Sequence, residues 1–366
     1  MSQPTTGNSS REVTVGLDLS DKDSYFCVLD AAGELLQEGR VKTTPHALER
    51  LFAGMEPARV ALETGTHSPW VSRLLEGLGH EVIVANARRI PVVCDVERRN
   101  DRTDARTLAE VAHARPQLLR PVRPRPEEAQ LSLARVRARD SLVQTRTKLI
   151  NHVRGAVKSM GGRIPSCSAP AFAKIAAESL PEKLKPVLTP HLRIIEQLTA
   201  EIREHEKAIE HLADEVYPET DLLRQIKGVG AITALTFVLT VVDPVRFPHS
   251  RDVPAYFGLT PREKDSGESH PQLRITKAGD CLMRRLLVGS AHYILSRGPD
   301  TDLKRHGLKI AKHGGKNARK RAAVAVARKL ALVLHRLWVT GEVYEPLRNS
   351  KKAERGGRRA GEAKRR

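Results

Sequence analysis

The sequence predicts an α/β domain at the N-terminal end followed by mostly helical segments, and three observations predict it. Strand-like and helix-like patterns alternate from about residue 12 to 115. The first strand candidates follow one another through short polar turns, before any helix begins. Beyond a proline-punctuated stretch, the apolar residues recur at long helical spacing instead.

The strand candidates are Val13–Leu17, Tyr25–Leu29, Leu35–Val41, Val60–Leu62 and Glu81–Ala85. Helices are expected over Pro45–Phe52, Pro69–Leu78 and Thr103–His113. Three strands in meander, then alternating helix and strand, is the ribonuclease-H-like order. A plain doubly wound domain lacks that opening meander.

Arg115 to Pro126 contains Pro121-Val122-Arg123-Pro124-Arg125-Pro126 and reads as a linker, since proline at this density forbids helix. From Glu127 to Met160, Leu133, Val136, Val143, Ile150, Val153 and Val157 recur at helical spacing. Arginines and lysines cover the other faces of that helix, which are either solvated or track a phosphate backbone. Residues 162–185 are weakly patterned and are treated as loop and short helix. A second helix is expected to start at Thr189-Pro190, with proline at its first position. Its apolar residues Ile195, Leu198, Ile202, Ile209, Leu212 and Val216 form a heptad seam interrupted by His205. That seam fits an antiparallel pair within one subunit or a coiled coil between subunits. The domain boundaries that follow are 12–115, 127–217, 220–347 and a basic tail, 348–366, expected to be disordered.

The chain has 366 residues, enough for two or three domains. Its 62 basic and 43 acidic residues leave a net charge of +19, which favours a polyanionic partner. No apolar run approaches the length of a spanning helix, and the N-terminus has no apolar signal core. The four cysteines form no CxxC pair, which points to a reducing cytoplasm and away from a zinc site. Aromatic residues make up only 4%, which argues against stacking platforms for single strands.

Four carboxylates stand out in the first domain. Asp18 closes the first strand, Glu63 follows the fourth, and Asp101 and Asp104 are three apart at a helix start. Carboxylates on two strand ends and one helix are suited to surround hard cations that hold the attacking and leaving oxygens of a phosphodiester. Each also has a bland reading: Asp18 as the start of a polar turn, Asp101 as a helix cap.

The C-terminal half adds a second set. Leu222–Ile226, the turn Gly228-Val229-Gly230 and a helix from about Ala231 read as a helix-hairpin-helix. Its backbone N–H groups would point toward a phosphate, with Lys227 beside them. The alternative is a sharp corner used for packing. Ser250–Phe257 reads as a helix. Pro261–Ile275 is a polar, turn-rich loop with strand-like ends and Ser266-Gly267 near its middle. Ser266 is an ordinary turn serine unless something activates it, because no histidine or aspartate base is evident beside it. Arg274, Lys277, Arg284 and Arg285 are candidates to neutralise phosphate charge.

The motifs VGLD, ALETG, NDRTDAR, IKGVGAITA, FGLTPRE, SGES and RITKAGDCLMRR together resemble the insertion sequence one-ten (DEDD) family of transposases, of the RNA-guided bridge-recombinase type. The resemblance runs from about Val13 to Leu347. It implies a RuvC-like domain, a helical coiled-coil spacer and a small transposase domain. It implies that Asp18, Glu63, Asp101 and Asp104 bind metal, with Mg²⁺ as cofactor, and that the nucleophile falls on Ser266. The implied partners are DNA at the element ends and target, a guide RNA, and further copies of the chain as a dimer or tetramer.

The leading expectation is therefore a cytoplasmic DNA recombinase with a metal-assisted serine. A RuvC-like nuclease using water, of the junction-resolving kind, is the alternative enzyme. A noncatalytic binder is the third class, and the set of four acids disfavours it.

Overall fold

In the computed structural model, which describes residues 13–86, 100–262 and 273–349, one unit ends at Pro126 and a second begins at Glu127. The first unit is built on strands β1 (Thr14–Asp18), β2 (Asp23–Leu29), β3 (Leu35–Lys42), β4 (Arg59–Glu63) and β5 (Glu81–Ala85), in the sheet order β3-β2-β1-β4-β5. β1, β2 and β3 pair antiparallel, as a meander does. β4 and β5 extend the sheet parallel to β1. This mixed α/β architecture is compatible with the ribonuclease-H-like order.

Two helices, α1 (Pro45–Phe52) and α2 (Ser68–Gly77), contribute Leu48, Phe52, Val71 and Leu75 to the core on one sheet face. Val15, Leu17, Val60 and Leu62 meet them there. Alternate residues point the other way, and α3 (Asp101–Ala114) covers that second face with Ala105, Leu108, Ala109 and Ala112.

The expected linker is a correction. Pro116–Leu119 forms a single 3₁₀ turn with Leu119 buried. The Val122 amide donates to the Val84 carbonyl at 2.8 Å, and the Asn86 amide to the Leu119 carbonyl at 3.1 Å. The prolines remove some donors, but the Val122 amide and the Leu119 carbonyl still cover the free edge of β5.

The second unit opens with α4 (Glu127–Ser159), then the short α5 (Phe172–Ser179) and the long α6 (Lys185–His211). The expected start of this last helix at Thr189-Pro190 is corrected to Lys185. Pro186 occupies its first turn, and Pro190 lies inside the helix. Only one internal backbone bond is lost at Pro190, and the Thr189 hydroxyl donates to the Lys185 carbonyl at 2.6 Å.

α4 and α6 run antiparallel. Val153 and Val157 pack with Ile195 at one end, and Leu133 and Val136 with Ile209 at the other. Ile195, Ile202 and Ile209 are 0–2% exposed, so that stretch of the heptad seam is filled by the same chain, while Val216 at its end is exposed. Arg139 pairs with Glu206, and Arg146 donates to Thr199 Oγ1 at 3.2 Å across the same pair.

Beyond a π-helical turn at Leu212–Val216 come α7 (Thr220–Arg224), α8 (Ala231–Val241), α9 (Val253–Tyr256), α10 (Cys281–Ser296), α11 (Asp302–Lys312) and α12 (Ala318–Thr340). The predicted helix at Ser250–Phe257 is a 3₁₀ turn running into α9. α8 is the centre of this bundle, with every residue but Ile232 buried. Phe237 meets Phe257 edge to face at 5.5 Å, beside Leu330 and Leu334 of α12. Among the described residues, no helix is long and apolar enough to cross a membrane.

Candidate active site

The strand alternation of β1 settles where Asp18 points. Val15 and Leu17 enter the core on the α1–α2 face, so Gly16 and Asp18 belong to the face that α3 covers. β4 is in register with β1, Leu17 opposite Leu62, and this sets Glu63 beside Asp18 at neighbouring strand ends. Adjacent strands lie about 4.8 Å apart.

Gly16 brings the helix in. A Cβ there would stand 2.0 Å from the Ala105 carbonyl oxygen and 2.5 Å from the Ala109 nitrogen, so α3 lies directly on the β1 backbone. Asp101 and Asp104 share the helical stripe of Ala105 and Leu108, and they sit in the first turn of α3 above the strand ends. Asn100 is the N-cap, its side chain accepting from the Thr103 amide at 2.8 Å. Asp101 is thus not needed as a cap, though both aspartates also suit the positive end of the helix dipole.

The proximity has an electrostatic consequence. Burial raises the Asp18 carboxyl, and the negative charges of Glu63, Asp104 and Asp101 raise it further, to about 7. The nearby cations are turned elsewhere, Arg102 to Glu38 and Arg106 to Glu110. Among the described residues no basic side chain is paired with Asp18, Asp101 or Asp104. No three metal-ligating side chains among the described residues stand close enough to hold an ion as they are. The set is held within electrostatic reach but is not drawn together.

In the second unit the structure describes the base of the serine loop. Ser266 and its rival Ser269 lie outside the described residues. Pro261 and Ile275 form an antiparallel bridge. The Arg262 amide donates to the Arg274 carbonyl at 3.0 Å, and the Thr276 amide to the Thr260 carbonyl at 2.9 Å. Below that, Gly258 and Gly279 act as a clasp. Both take positive φ, and added Cβ atoms would stand 2.3 Å from Ala278 backbone atoms and 2.0 Å from the Tyr256 carbonyl oxygen. Sequence reasoning missed Gly16, Gly258 and Gly279, although glycine inside a strand pattern or beside a turn is a signal of close backbone approach.

The predicted basic residues divide. The Arg284 guanidinium donates to the carbonyls of Phe257 and Ala278 at 3.0 and 2.9 Å, so it braces the loop base. Arg285 pairs with Asp140 of α4, while Arg137 of α4 pairs with Asp280 of the α10 cap. Arg274 and Lys277 have exposed side chains. In the glycine turn, Lys227 and Gly230 are exposed. Gly228 has φ +104, and a Cβ there would meet Tyr293 at 2.8 Å, so it serves packing as well as the turn. Gly230 precedes α8, which has no side-chain cap. Ser290 is buried on α10.

Comparison with known proteins adds the family context. Residues 15–161 match the DEDD transposase family model of IS110, and residues 220–306 match the transposase model of the IS116/IS110/IS902 family. The chain is 30% identical over 344 residues to a transposase for insertion sequence element IS1111A of Coxiella burnetii, covering 90% of each chain. It is 33% identical over 342 residues to a putative transposase of Sinorhizobium fredii, covering 91% of this chain and 85% of that one. A transposase for insertion sequence element IS1328 of Yersinia enterocolitica is 30% identical over 289 residues, with 77% of this chain and 84% of that one covered.

Proposed function

The chain belongs to the IS110 family of insertion-sequence transposases, and from that premise we propose that it cuts and rejoins DNA by serine attack beside a metal-binding acid cluster. One observation carries this reading: Glu63, Asp101 and Asp104 all act on Asp18, with no basic partner taken by the aspartates. Aspartates clustered around a further carboxylate, with no basic side chain paired to them, fit a hard divalent cation, and Mg²⁺ is the expected ion. Asp18, Glu63, Asp101 and Asp104 would hold it. Bound there, it would offset charge building up on a scissile phosphate.

Ser266 is the proposed nucleophile. Its Oγ forms a bond to phosphorus and the bond from phosphorus to a deoxyribose oxygen breaks. The serine proton is released, and the departing oxygen takes up a proton. One phosphodiester replaces another, so a strand hydroxyl attacking in reverse restores a DNA joint. This bond economy suits rejoining better than hydrolysis does. The clamped base formed by Gly258 and Gly279 supports the reading, because it gives the loop a rigid root. Lys227, Gly228 and Gly230, read as a helix-hairpin-helix turn, would receive backbone phosphates, with Arg274 and Lys277 beside the loop.

A guide RNA pairing with donor and target DNA, and assembly as a dimer or tetramer, belong to the same proposal. The net charge of +19 supports nucleic-acid partners. Because α4 already fills the α6 seam, subunits would meet through other surfaces than Ile195, Ile202 and Ile209.

The test of the acid cluster is strand cleavage of element-end DNA in Mg²⁺ by wild type and Asp18→Asn. Loss of cleavage with a folded protein is expected. Full activity in the variant would sink the assignment.

A further inference from the structure

We propose that the corner between α11 and α12 is a nucleic-acid surface that grips the phosphodiester backbone of a duplex without reading its sequence. The inference rests on the reading of the chain as a DNA-processing enzyme, and adds a site distinct from the acid cluster, the glycine turn and the serine loop. From Leu303 to Gly341 the chain holds 11 lysines and arginines and no aspartate or glutamate.

The packing of the two helices explains where those charges go. Gly307 of α11 allows close contact, since a Cβ there would stand 2.5 Å from Leu295 and 2.6 Å from Val326. Leu303, Ala318, Ala322 and Val326 are buried. The cations are left on the outside. Some are committed to the fold: Arg305 to Asp300, Lys304 to the Gly298 carbonyl, and Arg321 to the Gly314 carbonyl that closes the turn. Lys309, Lys312, Lys316, Arg319 and Lys320 are exposed, and none is paired with a carboxylate among the described residues.

Helix stability does not account for all of them. Lys309 and Lys312 suit the negative end of α11. Arg319 and Lys320 stand in the first turn of α12, where the dipole is positive and no acid accompanies them. Cations there are unfavourable to the helix. His306 senses the same excess: burial lowers its pKa first, then the charges of Lys329 and Lys309. A polyanion supplies the missing charge. No phenylalanine, tyrosine or tryptophan occurs between Tyr293 and Trp338, so the surface has no platform for unpaired bases. Phosphates of a duplex are the fitting ligand.

The test uses the full-length protein and the variant Lys312→Gln/Lys316→Gln/Arg319→Gln/Lys320→Gln. Binding to a random-sequence DNA duplex, an RNA duplex and a single strand of equal length is measured across salt concentrations. The variant is expected to lose about tenfold or more in duplex affinity, with the salt slope reduced by about 3 to 4. A loss on DNA, on RNA or on both supports the inference and says which duplex the corner holds. An unchanged duplex slope, or a loss confined to the single strand, overturns it. Melting temperature should be unchanged or slightly raised, because wrong-sign charges leave the α12 start. If the quadruple variant melts early, the charge-keeping set Lys312→Arg/Lys316→Arg/Arg319→Lys/Lys320→Arg decides: wild-type slope supports the inference, and a reduced slope refutes it. Cleavage tests of Asp18→Asn report on the acid cluster separately, so failure here leaves that reading intact.

Discussion

In the first unit, Asp18, Asp101 and Asp104 have no basic partner among the described residues, while the arginines around them pair elsewhere. In the second unit, Arg137, Arg139, Arg284 and Arg285 are each committed to a carboxylate or to backbone carbonyls of the same chain. One unit leaves charge uncompensated where α3 meets the strand ends. The other spends charge on holding helices and the root of a loop. Counting charged residues along the chain does not separate the two uses. The separation comes from asking which charges the fold has already answered.

The largest expected effect tests the uncompensated side. Glu63→Gln, Asp101→Asn or Asp104→Asn should each lower the rate of Mg²⁺-dependent strand cleavage by about a hundredfold or more. Circular dichroism should show an unchanged fold. A wild-type rate in any one of them removes that residue from the site.

Next come the clasps. Gly279→Ala and Gly16→Ala each force a Cβ into backbone atoms, and should destabilise by roughly 2–4 kcal/mol in denaturant titrations. Equal stability in either variant would show that the close approach is not rigid. Ile202→Lys should unfold the α4–α6 pair at a similar cost, because the seam is internal. A stable protein that only changes its mass in light scattering would show that α6 is free to pair between subunits.

Arg284→Gln sharpens the comparison on the compensated side. It should lower the melting temperature by a few degrees, roughly 1–2 kcal/mol, through the two carbonyl bonds lost. The salt slope of DNA binding should stay at the wild-type value. A slope reduced by about 1 would mean that Arg284 reaches a phosphate instead.

The legible part of the fold was the sheet. Apolar runs such as Val13–Leu17 read as a buried strand, Thr14 to Leu17 are buried in succession, and the pattern is local. The four acids were legible as positions on elements, but the reason they lie within electrostatic reach of one another was not. That reason is Gly16, which has no side chain to mark a pattern, and Asn100, which caps α3. The α6 seam was legible as a buried face. Periodicity does not say what buries it, and α4 lies about fifty residues earlier in the chain. Ser266 rests on the motifs around it alone, because it lies outside the described residues.

A pH dependence is expected as well. The Asp18 pKa is raised from 3.8 to about 7 in the folded chain, so folding favours its protonated form. That contribution to stability is present below the unfolded pKa and is lost as pH rises through about 7. Without divalent cation, the wild type should therefore melt lower at pH 8 than at pH 5 relative to Asp18→Asn. Mg²⁺ should shrink the difference. A difference that stays constant from pH 5 to 8 would contradict the clustering.

The most direct measurement joins both units in one assay. Element-end DNA, Mg²⁺ and the proposed guide RNA are incubated with protein and stopped in denaturant. The account predicts a covalent protein–DNA adduct whose linked peptide carries the phosphoester on Ser266. The adduct should be absent in Ser266→Ala and in Asp18→Asn, with DNA binding retained in both. Strand cleavage at the wild-type rate by Ser266→Ala, with no adduct at any time, would contradict it and leave water as the nucleophile.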